Sequence, residues 1–214
     1  MKGQMHCPLC AESGARPFHR DRRREYLRCR ECALVFVPRA YYLAREEERA
    51  EYDLHRNELD DPGYRAFLSR LARPLQARLP VGAHGLDFGC GPGPALAAML
   101  RESGLEVKLF DPYYYPDRAA LQGQYQFITA TEVVEHLHHP GRELARLWEL
   151  LLPGGYLGVM TKLVIDAQAF ANWHYKNDPT HVCFFSVATW VWWADSVGAA
   201  LERVAADAVL LRKL

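Results

Sequence analysis

The chain has 214 residues, half of them apolar, and its 26 basic side chains are balanced by 26 acidic ones. That composition supports one α/β domain with a sizeable core plus a small appendage, and excludes a disordered chain. No apolar run approaches the ~20 residues that span a bilayer, and Met1 to His6 lacks the apolar stretch of an export signal, so the expectation is a cytoplasmic protein without a membrane partner.

Charge is unevenly spread. Through Arg45, ten Lys/Arg face four Asp/Glu. A basic front end of this kind either attracts a phosphate-bearing partner or is a solvated arginine-rich hairpin; the second reading is preferred. Four of the six cysteines also lie here. Cys7-Pro8-Leu9-Cys10 and Cys29-Arg30-Glu31-Cys32 are two Cys-x-x-Cys knuckles with 18 residues between Cys10 and Cys29. Clustered thiols at this spacing point to tetrahedral zinc in a closed, structural site rather than to disulfides or a redox pair. The β-like runs Glu25 to Arg28 and Leu34 to Val37 accompany the knuckles, and Pro38 closes a zinc ribbon over residues 1–40.

A helical linker or lid is expected over 41–80. It has a charged helix from Leu43 to His55, a break at Asp60-Asp61-Pro62-Gly63, and a second helix from Tyr64 to about Leu79. Phe67, Leu68, Leu71, Leu75 and Leu79 keep a 3.6-like spacing, and Pro74 is expected to kink or split that helix. Residues 81–214 then alternate strands and helices: strand Gly85 to Phe88, helix Ala95 to Ser103, strand Val107 to Phe110 and strand Gln126 to Ala130. A helix from about Arg142 to Leu152 follows, ending at Pro153-Gly154-Gly155, then a strand from Tyr156 to Met160. This order implies a doubly wound, mostly parallel α/β sheet. Leu201 to Leu214 reads as two short strands, an antiparallel hairpin at one edge.

The run Asp87-Phe88-Gly89-Cys90-Gly91-Pro92-Gly93 ends a strand and opens a helix, and the next strand ends in Asp111. Glycines there allow a tight turn and close approach of a ligand, and an acid at the end of the next strand is placed to accept both hydroxyls of a ribose. The pattern resembles the first motif of the class I S-adenosylmethionine-dependent methyltransferases. The likeness continues through Phe127 to Leu137 and Leu151 to Leu157, within the ubiquinone O-methyltransferase-like, type 23-like members. It covers roughly Leu79 to Leu214 and implies a Rossmann-like fold. It also implies cofactor contacts from Asp87, Gly89, Cys90, Gly91, Gly93, Asp111, Pro112, Thr131 and Glu132, with Cys90 a small packing residue rather than a nucleophile. One departure stands out. About 15 residues separate the Asp111 strand from the Phe127 strand, where the family fits a helix, a further strand and an adenine-contacting acid. That strand is expected to be missing. Tyr113, Tyr114 and Tyr115 are left either to stack on adenine or to pack.

Glu132, Glu135 and His136 fall at i, i+3 and i+4, one face of a helix. Two carboxylates and an imidazole there suit a divalent metal or a general base. The motif resembles one in ubiquinone-pathway O-methyltransferases and plant-type small-RNA 2′-O-methyltransferases, where a Glu-x-x-Glu-His set and a later histidine are associated with magnesium. His181 is that histidine here. The resemblance thus implies catalytic Glu135, His136 and His181, and a magnesium site of Glu132, Glu135, His136 and His181. The plainer alternative is that Glu132 only touches the cofactor and Glu135 caps a loop. Tyr52 and His55 are weaker candidates for lining the pocket, and Trp173, Trp190, Trp192 and Trp193 read as core or substrate wall.

The reading reached is methyl transfer from S-adenosylmethionine to a small acceptor such as a quinone precursor or nucleotide sugar. Similar ribbons precede some sugar C-methyltransferases and rRNA guanine methyltransferases. RNA is therefore the runner-up acceptor, drawing on Arg16, Arg20, Arg22, Arg23, Arg24, Arg28 and Arg30. A non-catalytic cofactor-binding or partner-binding module is the third reading, and a dehydrogenase-type nucleotide binder is disfavoured by the later motifs.

Overall fold

The computed structural model describes residues 5–54 and 58–214. In chain order the elements are β1 (Arg16–Arg20), β2 (Glu25–Arg28), β3 (Val35–Phe36), α1 (Arg45–Tyr52), α2 (Pro62–Gln76), β4 (His84–Phe88), α3 (Ala95–Glu102) and β5 (Glu106–Phe110). Then come β6 (Tyr125–Thr131), α4 (Pro140–Leu150), β7 (Leu151–Met160), α5 (Ala167–Ala171), β8 (Cys183–Phe184), α6 (Val187–Val197), β9 (Ala199–Ala205) and β10 (Ala208–Lys213).

Six strands form the central sheet in the order β5-β4-β6-β7-β10-β9. β5, β4, β6 and β7 run parallel, while β10 is antiparallel to both β7 and β9, so the tail is the expected edge hairpin. The parallel strands are covered on both faces, which is why β4 is buried from Gly85 to Phe88. Between β5 and β6 the described residues hold one 3-10 turn, Arg118–Gln122, and no strand. The short spacing after Asp111 thus leaves β5 at the sheet edge.

Several boundaries differ from the sequence-based expectation. α2 starts at Pro62 because Asp61 accepts a hydrogen bond from the Tyr64 amide at 2.7 Å, and Pro62 fits the first turn. Pro74 falls in the last turn, so the helix runs unsplit to Gln76. α4 ends at Leu150 and β7 takes in Pro153-Gly154-Gly155. There the Lys213 ammonium donates to the carbonyls of Trp148 and Leu151 at 2.7 and 2.8 Å, which satisfies the helix end. The far end of the first predicted helix, with His55, lies outside the described residues.

The cysteine-rich segment does not stand alone. β1, β2 and β3 form an antiparallel sheet that β8 completes, with Val35 opposite Phe184 and Phe36 opposite Cys183. Tyr26, Phe170 and Phe184 meet edge to face at centroid distances of 5.0 to 5.8 Å, so both sheets share one apolar core. Gly141 at the start of α4 lies directly under the first knuckle. Its amide donates to the Pro8 carbonyl, and a Cβ there would stand 2.1 Å from the Leu9 carbonyl oxygen. Gly141→Ala is expected to lose about 1–3 kcal/mol in chemical denaturation by forcing the two apart; unchanged stability would contradict this seating. Among the described residues no helix is long and apolar enough to cross a membrane.

Candidate active site

A single cleft of about 1190 Å³ opens at the carboxyl ends of β4, β5 and β6. One end is built by the turn after β4. Gly89 adopts φ +72° and Gly91 φ +63°. At Gly89 a side chain would also meet Val133 at 2.5 Å, so only glycine fits. At Gly91 the missing side chain leaves open space on the cleft. Asp111, at the end of β5, ties the two turns together. Its Oδ2 accepts from the Gly91 amide at 3.1 Å, and its Oδ1 accepts from the Tyr113 and Tyr114 amides at 2.8 and 3.1 Å. Two carboxylate oxygens offer about four acceptor positions; the three amides take three of them, so Asp111, which borders the cleft, retains capacity for one ligand hydroxyl at Oδ2.

Gly89, Cys90, Gly91, Asp111, Pro112, Thr131 and Glu132 all line this cleft. Asp87 and Gly93 do not. Asp87 is buried beneath the loop, accepts from the Thr129 hydroxyl at 2.7 Å, and has its carboxyl raised to about 6, chiefly by burial. The Gly93 carbonyl instead accepts from the Ala95 amide at the start of α3. Both support the loop rather than face its ligand space.

α1 roofs the cleft. Tyr113 donates to Glu48 and Tyr114 to Asp53, each at 2.7 Å. Glu48 also faces His138 at 3.6 Å, and the Tyr52 ring meets His136 edge-on at 5.2 Å. The tyrosines after Asp111 therefore hold the roof by their hydroxyls, and Tyr52 does line the cleft.

The far wall departs from the expected helical face. The chain leaves β6 through Glu132 in the left-handed region, φ +53°, and only Val134–His136 form a 3-10 turn. That turn drives Glu135 inward, fully buried and off the cleft, where Tyr175 donates to it. The same hydroxyl lies 3.2 Å from Glu132 Oε2. Glu135 is therefore not placed to touch a substrate; it fixes Tyr175. His136 and His181 do line the cleft, their rings 4.6 Å apart. His181 Nδ1 lies 2.7 Å from the Tyr175 carbonyl, which can only accept, so Nδ1 carries the proton; Nε2 lies 3.7 Å from Asp178.

Ligand atoms of Glu135, His136 and His181 lie within 4.8 Å of one another, and Glu132 is not of that group. These three could hold a divalent ion; two imidazoles and one carboxyl suit a transition metal better than magnesium, which prefers oxygen ligands and keeps several waters. Burial, and after it the Glu132 charge, also pushes the Glu135 carboxyl well above its usual range. Glu132 itself is raised to about 7, mainly by burial, with the Tyr175 hydroxyl acting against it. Both carboxyls hold a proton more tightly folded than unfolded. Stability is thus fully present below the ordinary value of 4.5 and is lost as pH rises toward about 7. Glu132→Gln removes its share. The drop in melting temperature between about pH 5 and about pH 8 is expected to be smaller in the variant than in the parent; equal drops would contradict the burial argument.

In the N-terminal hairpin, Cys7, Cys10, Cys29 and Cys32 converge, with all four sulfurs within 4.8 Å. Cys7 and Cys32, and Cys10 and Cys29, are 3.5 Å apart, far beyond a disulfide bond, and all four thiols are free. Zinc–sulfur bonds of ~2.3 Å place tetrahedral sulfurs about 3.8 Å apart, so the set fits zinc. The Cys32 hydrogen bond draws Cys7 down to about 6, while burial raises Cys10 to about 12.

Residues 55–204 match the methyltransferase domain family. The chain belongs to that family, among the class I S-adenosylmethionine-dependent methyltransferases. The chain is 28% identical over 81 residues to the ubiquinone biosynthesis O-methyltransferase of Shewanella pealeana. The match spans 38% of this chain and 34% of that relative's length. In fold it is similar to the 1,6-didemethyltoxoflavin-N1-methyltransferase of Burkholderia thailandensis, solved with 1,6-didemethyltoxoflavin and S-adenosylhomocysteine. The TM-score is 0.57 at 18% identity, with 93% of this chain and 99% of the other covered. An O-methyltransferase family protein from the same organism aligns at TM-score 0.47 and 14% identity over 70% of this chain and 57% of the other. Tyr175, Asp178, Lys162 and Glu48 are cleft residues that the sequence motifs do not mark. Tyr175 sits in an aromatic-rich stretch that reads as core, and no local spacing links it to Glu135.

Proposed function

We propose that this protein transfers a methyl group from S-adenosylmethionine to a small-molecule acceptor bound beside Glu132, His136 and His181. The observation that carries this reading is the continuity of the cleft. The glycine loop and Asp111 share one space with the histidine wall, and its volume of about 1190 Å³ exceeds the ~300–1,000 Å³ usual for a single ligand. A donor and an acceptor fit side by side.

When bound, the donor supplies an electrophilic methyl on a sulfonium, open to in-line displacement. The glycine-loop backbone lets the methionine half approach closely, and the free position on Asp111 accepts a ribose hydroxyl. The α1 roof excludes water and aligns the reactants. Where the acceptor must lose a proton, His181 takes it at Nε2. The Tyr175 carbonyl fixes the ring, and the Asp178 carboxylate 3.7 Å away stabilises the imidazolium. Against burial, the charge of His181 once it is protonated and the Thr180 hydrogen bonds hold Asp178 below its ordinary value, so a carboxylate faces the imidazolium as it forms. His136 is the second histidine at the acceptor. Glu135 acts through Tyr175. In the same reading the four cysteines hold one structural zinc.

An RNA acceptor draws less support. Arg23 and Arg24 donate to main-chain carbonyls of residues 176–181, Arg20 pairs with Glu25, and Arg28 lies over the Phe18 ring. Of these only Arg24 is buried and so removed from any RNA surface; Arg20, Arg23 and Arg28 are exposed and their pairings are weak. A crystal soaked with S-adenosylhomocysteine tests the proposal. Ribose density on Asp111 with sulfur toward His136 and His181 supports it; density elsewhere overturns it.

A further inference from the structure

Arg24 stands at the tip of the cysteine-rich hairpin, just before β2, and is only 7% exposed. Its partners are main-chain carbonyls far along the chain. Nη1 donates to His181 at 2.9 Å and to Pro179 at 3.2 Å; Nη2 donates to Asp178 at 2.8 Å and to Lys176. Four carbonyl dipoles turned toward one point repel one another unless a cation sits among them. A guanidinium meets them in one rigid plane of five donors, which an ammonium does not.

The segment so gathered, 176–181, carries Asp178 and His181 into the cleft. Neighbouring residues of the hairpin reinforce the grip. Arg23 donates to the Asn177 carbonyl at 3.2 Å, Lys176 pairs with Asp21 at 2.8 Å, and the Tyr26 hydroxyl donates to the Lys176 carbonyl at 3.2 Å. All of these holding residues lie between Cys10 and Cys29. The glycine loop and Asp111, by contrast, are set by β4 and β5 and owe nothing to the hairpin.

We infer that Arg24 is the positioning residue through which the four-cysteine hairpin holds Asp178 and His181 at the cleft. The consequence for acceptor chemistry rests on the methyltransferase reading; the clamp itself does not. The hairpin thereby governs the acceptor side of the cleft and leaves the donor side alone.

The test uses the full-length protein with its native metal content, compared with Arg24→Gln and Arg24→Lys. Amide hydrogen exchange and histidine-ring NMR signals are read together with S-adenosylhomocysteine affinity. In Arg24→Gln, amides of 176–182 are expected to exchange at least about tenfold faster, and the protected Nδ1–H signal of His181 to be lost. Exchange at 86–93 and S-adenosylhomocysteine affinity stay within about twofold. Arg24→Lys falls between, because its compact ammonium reaches only part of the carbonyl set. Unchanged exchange and an unchanged His181 signal overturn the inference, as does a uniform rise across both sheets, which marks only a structural role. If Arg24→Gln does not fold, Arg24→Lys decides by the same two signals. A parent protein that binds no S-adenosylhomocysteine but shows the expected Arg24 effects sinks the methyltransferase reading and leaves the clamp standing.

Discussion

Cys32→Ser is expected to strip the protein of zinc and to destabilise it throughout, well beyond the hairpin. Cys32 is fully buried, and its sulfur lies 3.5 Å from Cys7. A serine hydroxyl there leaves three thiolates and a poor fourth ligand for an ion that such sites bind by about 10–16 kcal/mol in isolated peptides. The loss spreads because the hairpin shares its core with β8 and seats its first knuckle on Gly141 of α4. Metal analysis of the parent, purified without added metal, should find about one zinc per chain, and of the variant almost none. The variant should melt well below the parent, by 10 °C or more on the order-of-magnitude scale of a 3–5 kcal/mol loss. A zinc-free parent with the same melting temperature as Cys32→Ser would show that the four thiols serve packing alone.

Asp111→Asn carries the second large effect. The carboxylate accepts from three backbone amides that shape the turns on either side of it, Gly91, Tyr113 and Tyr114. An asparagine turns one acceptor into a donor, which faces an amide donor whichever way the side chain is flipped. It also removes an acceptor from the proposed ribose contact. Hydrogen bonds to a charged group contribute about 1.5–3 kcal/mol each, so affinity for S-adenosylhomocysteine should fall by about a hundredfold. Equilibrium dialysis of parent and variant reads this directly. The zinc content should not change, because Asp111 and the cysteine cluster belong to different sheets. A variant that keeps parental affinity would remove Asp111 from the cofactor site.

Both sites were visible in the sequence. The glycine loop and Asp111 are local: a strand end, a turn that demands positive φ and an acid one strand on determine one another within about 25 residues. The cysteine pairs are legible for a similar reason, since thiolate spacing carries the ligand geometry. The α/β order and the edge hairpin also follow from periodicity and turn residues, and the missing strand after Asp111 from a spacing shorter than the resembled family's.

What was not legible depends on contacts between distant residues. β1 and β8 are short, and β8 is defined only by its pairing with β3 about 150 residues earlier. Arg24 reads as one more charge in a basic hairpin until its four carbonyl partners are seen. Glu135 shows the limit of spacing arguments. Its i+3 relation to Glu132 suggests a shared helical face, but a left-handed backbone at Glu132 and a single 3-10 turn place Glu135 in the core against Tyr175. The spacing was right for a helix, and the chain makes none there.

The central claim is that the cleft at β4 and β5 holds S-adenosylmethionine. Calorimetric titration of the folded, metal-loaded protein with S-adenosylhomocysteine tests it most directly. The expected result is one site per chain with micromolar affinity. No binding heat, from a sample whose cooperative melting shows it to be folded, would contradict the account.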